Sequence, residues 1–178
     1  MKIRGKPLKL LIEGYAIKKR VKELAEEIVK SFGYPDELYA VGILKGSFIF
    51  TADLIRELNI PVIVDFLWVS SYGESMESSG RIRILKDIEI DISGKKVLLI
   101  DDILDTGLTI EEIHSFLMRK GPETLKTCVL VEKEGRRKTD FKPDFVGFKT
   151  PNLFLVGYGL DWGELGRNLD GIYAVEGS

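Results

Sequence analysis
Cysteine and histidine occur once each in the 178 residues, at Cys128 and His114, and glutamine does not occur at all. A single cysteine excludes a disulfide within the chain, and one Cys with one His falls short of a zinc site built from those residues. Oxygen-ligated Mg²⁺ stays open. Positive charge is not in excess either: 26 Lys and Arg stand against 28 Asp and Glu, for a formal net charge of -2. That balance argues against a nucleic-acid partner, because nothing is left over to neutralise a phosphate backbone, but it leaves room for a local anion site. No apolar run approaches the roughly 18 residues of a membrane span, and the basic start MKIRGKPLKLLIEGYAI has no apolar stretch long enough for a signal peptide. A cytoplasmic location without a membrane partner is the expectation. Asparagine occurs only three times beside plentiful charge, a pattern reported for heat-adapted proteins.

What is present fits one domain over 1–178, with 44% hydrophobic and 30% charged residues and length enough to close a core. Residues 15–31 put Ile17, Val21, Leu24, Ala25 and Ile28 on one stripe opposite charges, the mark of an amphipathic helix. LYAVGIL (38–44) reads as a buried strand, 47–58 as a helix that Pro61 keeps short, and PVIVDFLWV (61–69) as a strand. The polar, Gly- and Ser-rich SSYGESMESSG (70–80) predicts a long mobile loop, and RIRIL (81–85) alternates like a strand. KVLLI (96–100) is a continuous apolar run suited to the middle of a parallel sheet, and 109–120 returns to helical spacing before Gly121 and Pro122. LKTCVLV, FVGF and LFLVGYG add short strands. Strands alternating with helices predict an α/β fold on a parallel sheet, and the strands near 145 and 154 suggest an appended hood or sheet edge.

The stretch KKVLLIDDILDTGLTIEEI (95–113) places Asp101, Asp102 and Asp105 within five residues at the end of an oily strand, followed by Thr-Gly-Leu-Thr. In open α/β sheets ligands bind beyond the carboxyl ends of the strands. The TGLT turn offers backbone N–H groups, two hydroxyls and a glycine that permits close approach, all at a positive helix end, and so suits a phosphate. The carboxylates would repel one another by roughly 3 kcal/mol per pair at about 5 Å and an effective dielectric of about 20. They need cations, hydroxyl donors or solvent, and a sugar phosphate carrying Mg²⁺ supplies the first two. Spacing alone also fits a solvated loop and helix start, with Thr106 or Thr109 as cap and Asp105 favoured by the helix dipole.

LLIDDILDTGLT resembles the phosphoribosyl pyrophosphate (PRPP) signature of type I phosphoribosyltransferases, and its Asp-Ile-Leu-Asp-Thr-Gly form is similar to the hypoxanthine-guanine phosphoribosyltransferases. The likeness continues through LKGSFIF (44–50), SSYG (70–73), LVEK (130–133) and KPDFVGFKTPNLFLVGYGLDWGELGRNL (142–169), and so spans about residues 10–170. It implies the family fold: a parallel sheet with helices on both faces, a lid loop at about 70–80 and a base-binding hood mainly from about 130–178. The implied reaction moves ribose 5-phosphate from PRPP to a 6-oxopurine, in purine salvage, with Mg²⁺ as cofactor. Hypoxanthine and guanine are the implied acceptors, with xanthine a third, and a homodimer or homotetramer is the implied assembly.

Residue by residue, the resemblance assigns the 5′-phosphate to Asp105, Thr106, Gly107, Leu108 and Thr109, Leu108 acting through its backbone. Asp101 and Asp102 correspond to the acidic pair that holds the ribose hydroxyls, directly or through Mg²⁺. Neighbouring strand side chains point to opposite faces, so the two can share one sugar only if the strand has ended there. Asp105 corresponds to the general base near purine N7. Lys45 and Gly46 resemble the loop that receives pyrophosphate through backbone groups, in which the Leu44–Lys45 peptide can be cis, and Arg167 the arginine that pairs with pyrophosphate. Lys133 resembles the donor to the purine 6-oxo group, Phe154 the stacking aromatic, Leu155 a backbone reader of the base edge, and Asp161 a ligand of a second Mg²⁺, with a backbone carbonyl that accepts from the guanine amino group. Ser71 and Tyr72 begin the lid, whose closure would keep water from an oxocarbenium-like centre.

Taken singly these residues have plain alternatives. Glu132 and Glu134 around Lys133 suit a salt-bridged loop, Phe154 and Leu155 suit core burial, and Asp161 and Arg167 suit a charged surface. RRK (136–138) reads as a solvated turn open to subunit contacts, His114 as structural or exposed, and Cys128 as a buried small hydrophobe. A non-catalytic regulator would leave a basic face or an added DNA-binding domain, and neither is present. A kinase or dehydrogenase lacks its glycine motif, since GYGLDWG does not match G-x-G-x-x-G, and a serine hydrolase lacks the G-x-S-x-G elbow.

Overall fold
The computed structural model describes residues 1–71 and 82–177. Over these the chain runs β1 (Lys2–Ile3), β2 (Lys6–Ile12), α1 (Gly14–Ser31), β3 (Leu38–Leu44), α2 (Phe48–Glu57), β4 (Val62–Ser71), β5 (Ile82–Lys86), β6 (Lys96–Leu104), α3 (Leu108–Met118), β7 (Thr124–Lys133), β8 (Phe145–Thr150), β9 (Leu155–Val156) and β10 (Ile172–Val175). Ser71 closes β4, whereas Tyr72 and the rest of the expected lid lie outside the described residues.

Six strands form the main sheet in the order β5-β4-β3-β6-β7-β8. All neighbours in it are parallel except the edge pair β4–β5. Side-chain alternation along the central strands sorts the core into two layers. Leu38 and Ala40, Leu98 and Ile100, and Cys128 and Leu130 pack with Ile17, Leu24 and Ile28 of α1 and Phe50 and Leu54 of α2. Val41 and Ile43, Val97 and Leu99, and Val129 face the other way, toward Ile110, Ile113 and Leu117 of α3. Both sheet faces are therefore covered, which is why these strands read as unbroken apolar runs. From α1, Arg20 caps the open edge of β8 by donating to the carbonyls of Gly147 at 3.2 Å and Val146 at 3.0 Å.

Strand order reverses between β3 and β6: β3 leads through α2 to β4 on one side, and β6 lies on the other. The carboxyl ends of these two strands are where such sheets open a crevice; Lys45-Gly46 follows the end of β3, and β6 itself ends in Asp101–Leu104 before turning through 105–107 into α3. Beside the main sheet stands a small antiparallel one of order β1-β2-β10-β9. The elements expected near 145 and 154 thus separate. β8 closes the main sheet, β9 joins the small one, and the hood takes strands from both ends of the chain. Among the described residues no helix is long and apolar enough to cross a membrane.

Candidate active site
β6 runs past Ile100 to Leu104, so Asp101 and Asp102 are still in the strand, not beyond it as sharing one sugar requires. Their surroundings accordingly differ. The Asp101 carboxyl, 8% exposed, accepts the Asp102 backbone N–H at 3.0 Å and lines a cleft of about 300 Å³ with Asp105, Thr106, Gly107, Thr109 and Arg136. Asp102 instead faces the β3–α2 loop, where a β-carbon on Gly46 would overlap its carboxylate. Burial pushes the Asp101 carboxyl well above the usual carboxylate range, and repulsion from Asp102 adds to the rise. Asp102 is also raised by burial, against hydrogen bonds and the charge of Arg167 that favour its ionised form. Two carboxyls that resist ionisation without a cation are the groups that a divalent ion or ribose hydroxyls would satisfy.

The turn after β6 is set by Gly107, whose φ of 86° places it in the left-handed region and whose missing side chain leaves space for Thr139 and Arg137. Gly107, not Thr106 or Thr109, is the N-cap of α3. The Leu108 N–H donates to the Thr106 hydroxyl at 3.4 Å. Two cations reach Asp105: Arg136 Nε stands 2.9 Å from Oδ1 and Lys133 Nζ 3.7 Å from Oδ2. The arginine is near but not aligned as a hydrogen bond, so Oδ1 retains acceptor capacity. Lys133 ends β7 with its side chain 10% exposed. Burial lowers the proton affinity of its ammonium and Arg136 lowers it further, while Asp105 opposes the shift.

A second cluster forms across the β3–α2 loop. The Leu44–Lys45 peptide is cis. Lys45 Nζ meets Glu164 Oε1 at 2.9 Å. Arg167 pairs with Asp161 at 2.9 Å and Glu164 at 3.2 Å, and donates to the Gly159 carbonyl at 2.7 Å. Phe154, 40% exposed, meets Trp162 edge to face at 5.8 Å. Arg4 from the β1–β2 turn lies 5.6 Å over the other ring of that contact, Trp162. The Leu155 side chain is in the core, which leaves its backbone for any recognition.

The purine-side residues are thus divided between clusters: Lys133 stands with Asp105, Asp161 with Arg167, and Phe154 joins through Trp162. Sequence reasoning passed over Arg136, Trp162, Arg4 and Glu164. The RRK run is not a free solvated turn, since Arg136 reaches Asp105, Arg137 pairs with Glu132, and the Lys138 N–H donates to the Thr106 carbonyl at 2.8 Å. Its two adjacent arginines after Gly135 were the available signal. His114 packs edge-on to Phe141 at 5.4 Å, and Cys128 is buried. A larger cleft of about 600 Å³ lies between α1 and α2, and within it Tyr158 donates to Asp53 at 2.5 Å while Asp53 pairs with Arg56.

A reversal-point crevice with an acidic strand end, a glycine turn opening a helix, and facing cations is the arrangement of a phosphoribosyl transferase domain. The chain belongs to that family, whose model matches residues 11–162. Within it, the chain is 60% identical over 174 residues to the hypoxanthine-guanine phosphoribosyltransferase of Aquifex aeolicus, covering 98% of each sequence. The structure superposes with a TM-score of 0.90 on the hypoxanthine-guanine phosphoribosyltransferase of Bacillus anthracis, at 42% identity over 95% of this chain and 99% of that one. The hypoxanthine phosphoribosyltransferase of Trypanosoma cruzi in complex with the product IMP gives a TM-score of 0.89 at 36% identity, covering 99% and 98%.

Proposed function
We propose that this chain is a purine salvage transferase of the cytoplasm, moving the 5-phosphoribosyl group of PRPP to hypoxanthine or guanine, and to xanthine as a third acceptor. The products are IMP or GMP, with pyrophosphate. The observation that carries the proposal is the pairing of Lys133 with Asp105 at 3.7 Å beside the turn at Gly107. One ammonium donor and one carboxylate acceptor side by side match the neighbouring O6 and N7 atoms of a 6-oxopurine. Adenine offers an amino group where Lys133 needs an acceptor, and so is rejected.

In this mechanism the backbone N–H groups of the 106–109 turn and the hydroxyls of Thr106 and Thr109 hold the 5′-phosphate. Asp101 takes the ribose hydroxyls on the cleft side of β6, and Asp102 lies on the opposite side, against Gly46. The backbone at Lys45 and Gly46, together with the side-chain cations of Lys45 and Arg167, receives the pyrophosphate. Purine N9 attacks C1′ as the bond from C1′ to pyrophosphate breaks, the electron pair leaves with pyrophosphate, and Asp105 takes the N7 proton. Phe154, steadied by Trp162, stacks on the base, while the backbones of Leu155 and Asp161 read its edge. Among the described residues no three ligand-type side chains converge to hold an ion unaided. Mg²⁺, when bound, would supply stabilisation of the charge on the leaving pyrophosphate. Asp101 and Asp102, whose proton affinity burial raises, are the residues that would hold the ion, and Asp161 would hold a second one.

A homodimer or homotetramer belongs to the same proposal. Phe48, 41% exposed and near Lys45 in sequence, offers apolar contact surface there. Light scattering tests the assembly, and a strictly monomeric mass counts against it. Calorimetric titration of the folded protein with PRPP and Mg²⁺ tests the binding site. Saturable heat is expected, and its absence would remove the proposed donor substrate.

A further inference from the structure
Glu164 sits between the two side-chain cations that the proposed reaction assigns to pyrophosphate. Its Oε1 is 2.9 Å from Lys45 Nζ and its Oε2 is 3.2 Å from Arg167 Nη2. Its own N–H donates to Asp161 Oδ2 at 2.7 Å, which fixes the base of the side chain. Both charged groups come from elements far apart in sequence, so a single carboxylate ties the β3–α2 loop to the loop before β10.

The backbone at Glu164 is unusual for a residue with a side chain. Trp162 and Leu165 exchange hydrogen bonds of 2.9 and 3.4 Å, closing a two-residue turn. Gly163 and Glu164 within it have φ of 57° and 71°, the paired left-handed values of a type I′ turn, where glycine, asparagine or aspartate is the common choice. A glutamate kept at such a position points to a task for its carboxylate. The side chain is 64% exposed, so it can swing into solvent without disturbing the core.

The geometry points to Glu164 as an exchangeable counter-anion: its carboxylate occupies Lys45 and Arg167 while the site is empty, gives way to the pyrophosphate group of PRPP, and returns as product pyrophosphate leaves. This role rests on the pyrophosphate assignment of Lys45 and Arg167. Glu164 holds the two cations near each other, which mutual repulsion opposes, and it sets a competition that limits how tightly pyrophosphate is retained. The competing charge is solvent-exposed, so its effect on affinity is modest.

The test measures binding of inorganic pyrophosphate with Mg²⁺ by calorimetry to the intact protein and to Glu164→Gln, Glu164→Gly and Lys45→Met, each first shown to be folded by thermal melting. Expected are roughly 3- to 10-fold tighter pyrophosphate binding by both Glu164 variants, with IMP affinity unchanged. Unchanged or weaker pyrophosphate binding by the Glu164 variants overturns the counter-anion role. Lys45→Met separates the two layers of inference. If it leaves pyrophosphate binding intact, the side-chain assignment of Lys45 to pyrophosphate fails, while the backbone of the loop and Arg167 are untouched by that outcome. If it weakens binding while the Glu164 variants show no tightening, only the counter-anion role fails.

Discussion

Gly159 stands against the backbone carbonyl of Gly46 so closely that a β-carbon on Gly159 would overlap the oxygen. Gly46 in turn is crowded by Asp102. A line of contacts therefore runs from the loop carrying Asp161 and Arg167, through the β3–α2 loop, to the acidic end of β6. The absence of two side chains is what lets two loops and the end of β6, from different parts of the sequence, meet in one site.

Gly159→Ala inserts a methyl group into that contact at a φ of 100°. Neither the backbone oxygen nor the left-handed conformation can yield cheaply, so destabilisation by about 1–3 kcal/mol is expected, along with loss of PRPP affinity. Chemical denaturation checks the first and calorimetry the second. A variant as stable and as tight-binding as the parent would show that the loops do not depend on this approach.

Asp105→Asn keeps the shape of the side chain and removes the proton acceptor. Turnover should fall about 10²- to 10⁴-fold, the usual size of a general-base contribution. PRPP binding should change little. Steady-state kinetics with saturating PRPP measures the drop, and unchanged turnover would take Asp105 out of that role.

Lys133→Met removes a nearly buried ammonium and leaves the 6-oxo group of the base unpaired. The loss of a charged hydrogen bond is about 1.5–3 kcal/mol, or roughly 10- to 150-fold in kcat/KM for hypoxanthine and guanine. The preference over adenine should shrink by the same factor. Competition between hypoxanthine and adenine gives the ratio directly, and a preserved ratio would assign selectivity to other groups.

Asp101→Asn tests the raised proton affinity of the buried acidic pair. The folded value is raised by burial and then by Asp102, and the unfolded value is about 3.9. Between those two values the native state holds the extra proton, so stability falls as pH rises through the window and the loss persists above it. Asparagine can keep the Oδ1 acceptor for the Asp102 N–H but carries no charge. The variant should therefore gain stability relative to the parent at pH 8, and that gain should disappear near pH 4. Thermal unfolding at both values decides, and a pH-independent difference would contradict the assignment.

The central strands were readable because apolar runs and alternation are local signals, as in β3 and β7, and the acidic tip of β6 stood out for the same reason. Helix ends shifted by one or two residues, which is ordinary fraying. The small sheet was not readable. β2 is largely exposed and lacks a long apolar run, β10 is short, and they pair from opposite ends of the chain, with Leu10 against Tyr173 and Leu8 against Val175, so no local pattern records the partnership. The same reason hid Arg136 and Glu164, whose meaning comes from the charges that folding sets beside them. The β6 end was misjudged because strand continuation past Ile100 depends on pairing with β7, where Ile103 lies against Val131 and Leu104 against Glu132.

The most direct measurement follows pyrophosphate release from PRPP and Mg²⁺ with hypoxanthine, guanine, xanthine and adenine supplied one at a time. Rapid release with hypoxanthine and guanine, accompanied by IMP and GMP, and little with adenine is the expected result. Equal use of adenine, or no nucleotide from either 6-oxopurine, would contradict the pairing of Lys133 and Asp105 as the reader and base of the incoming purine.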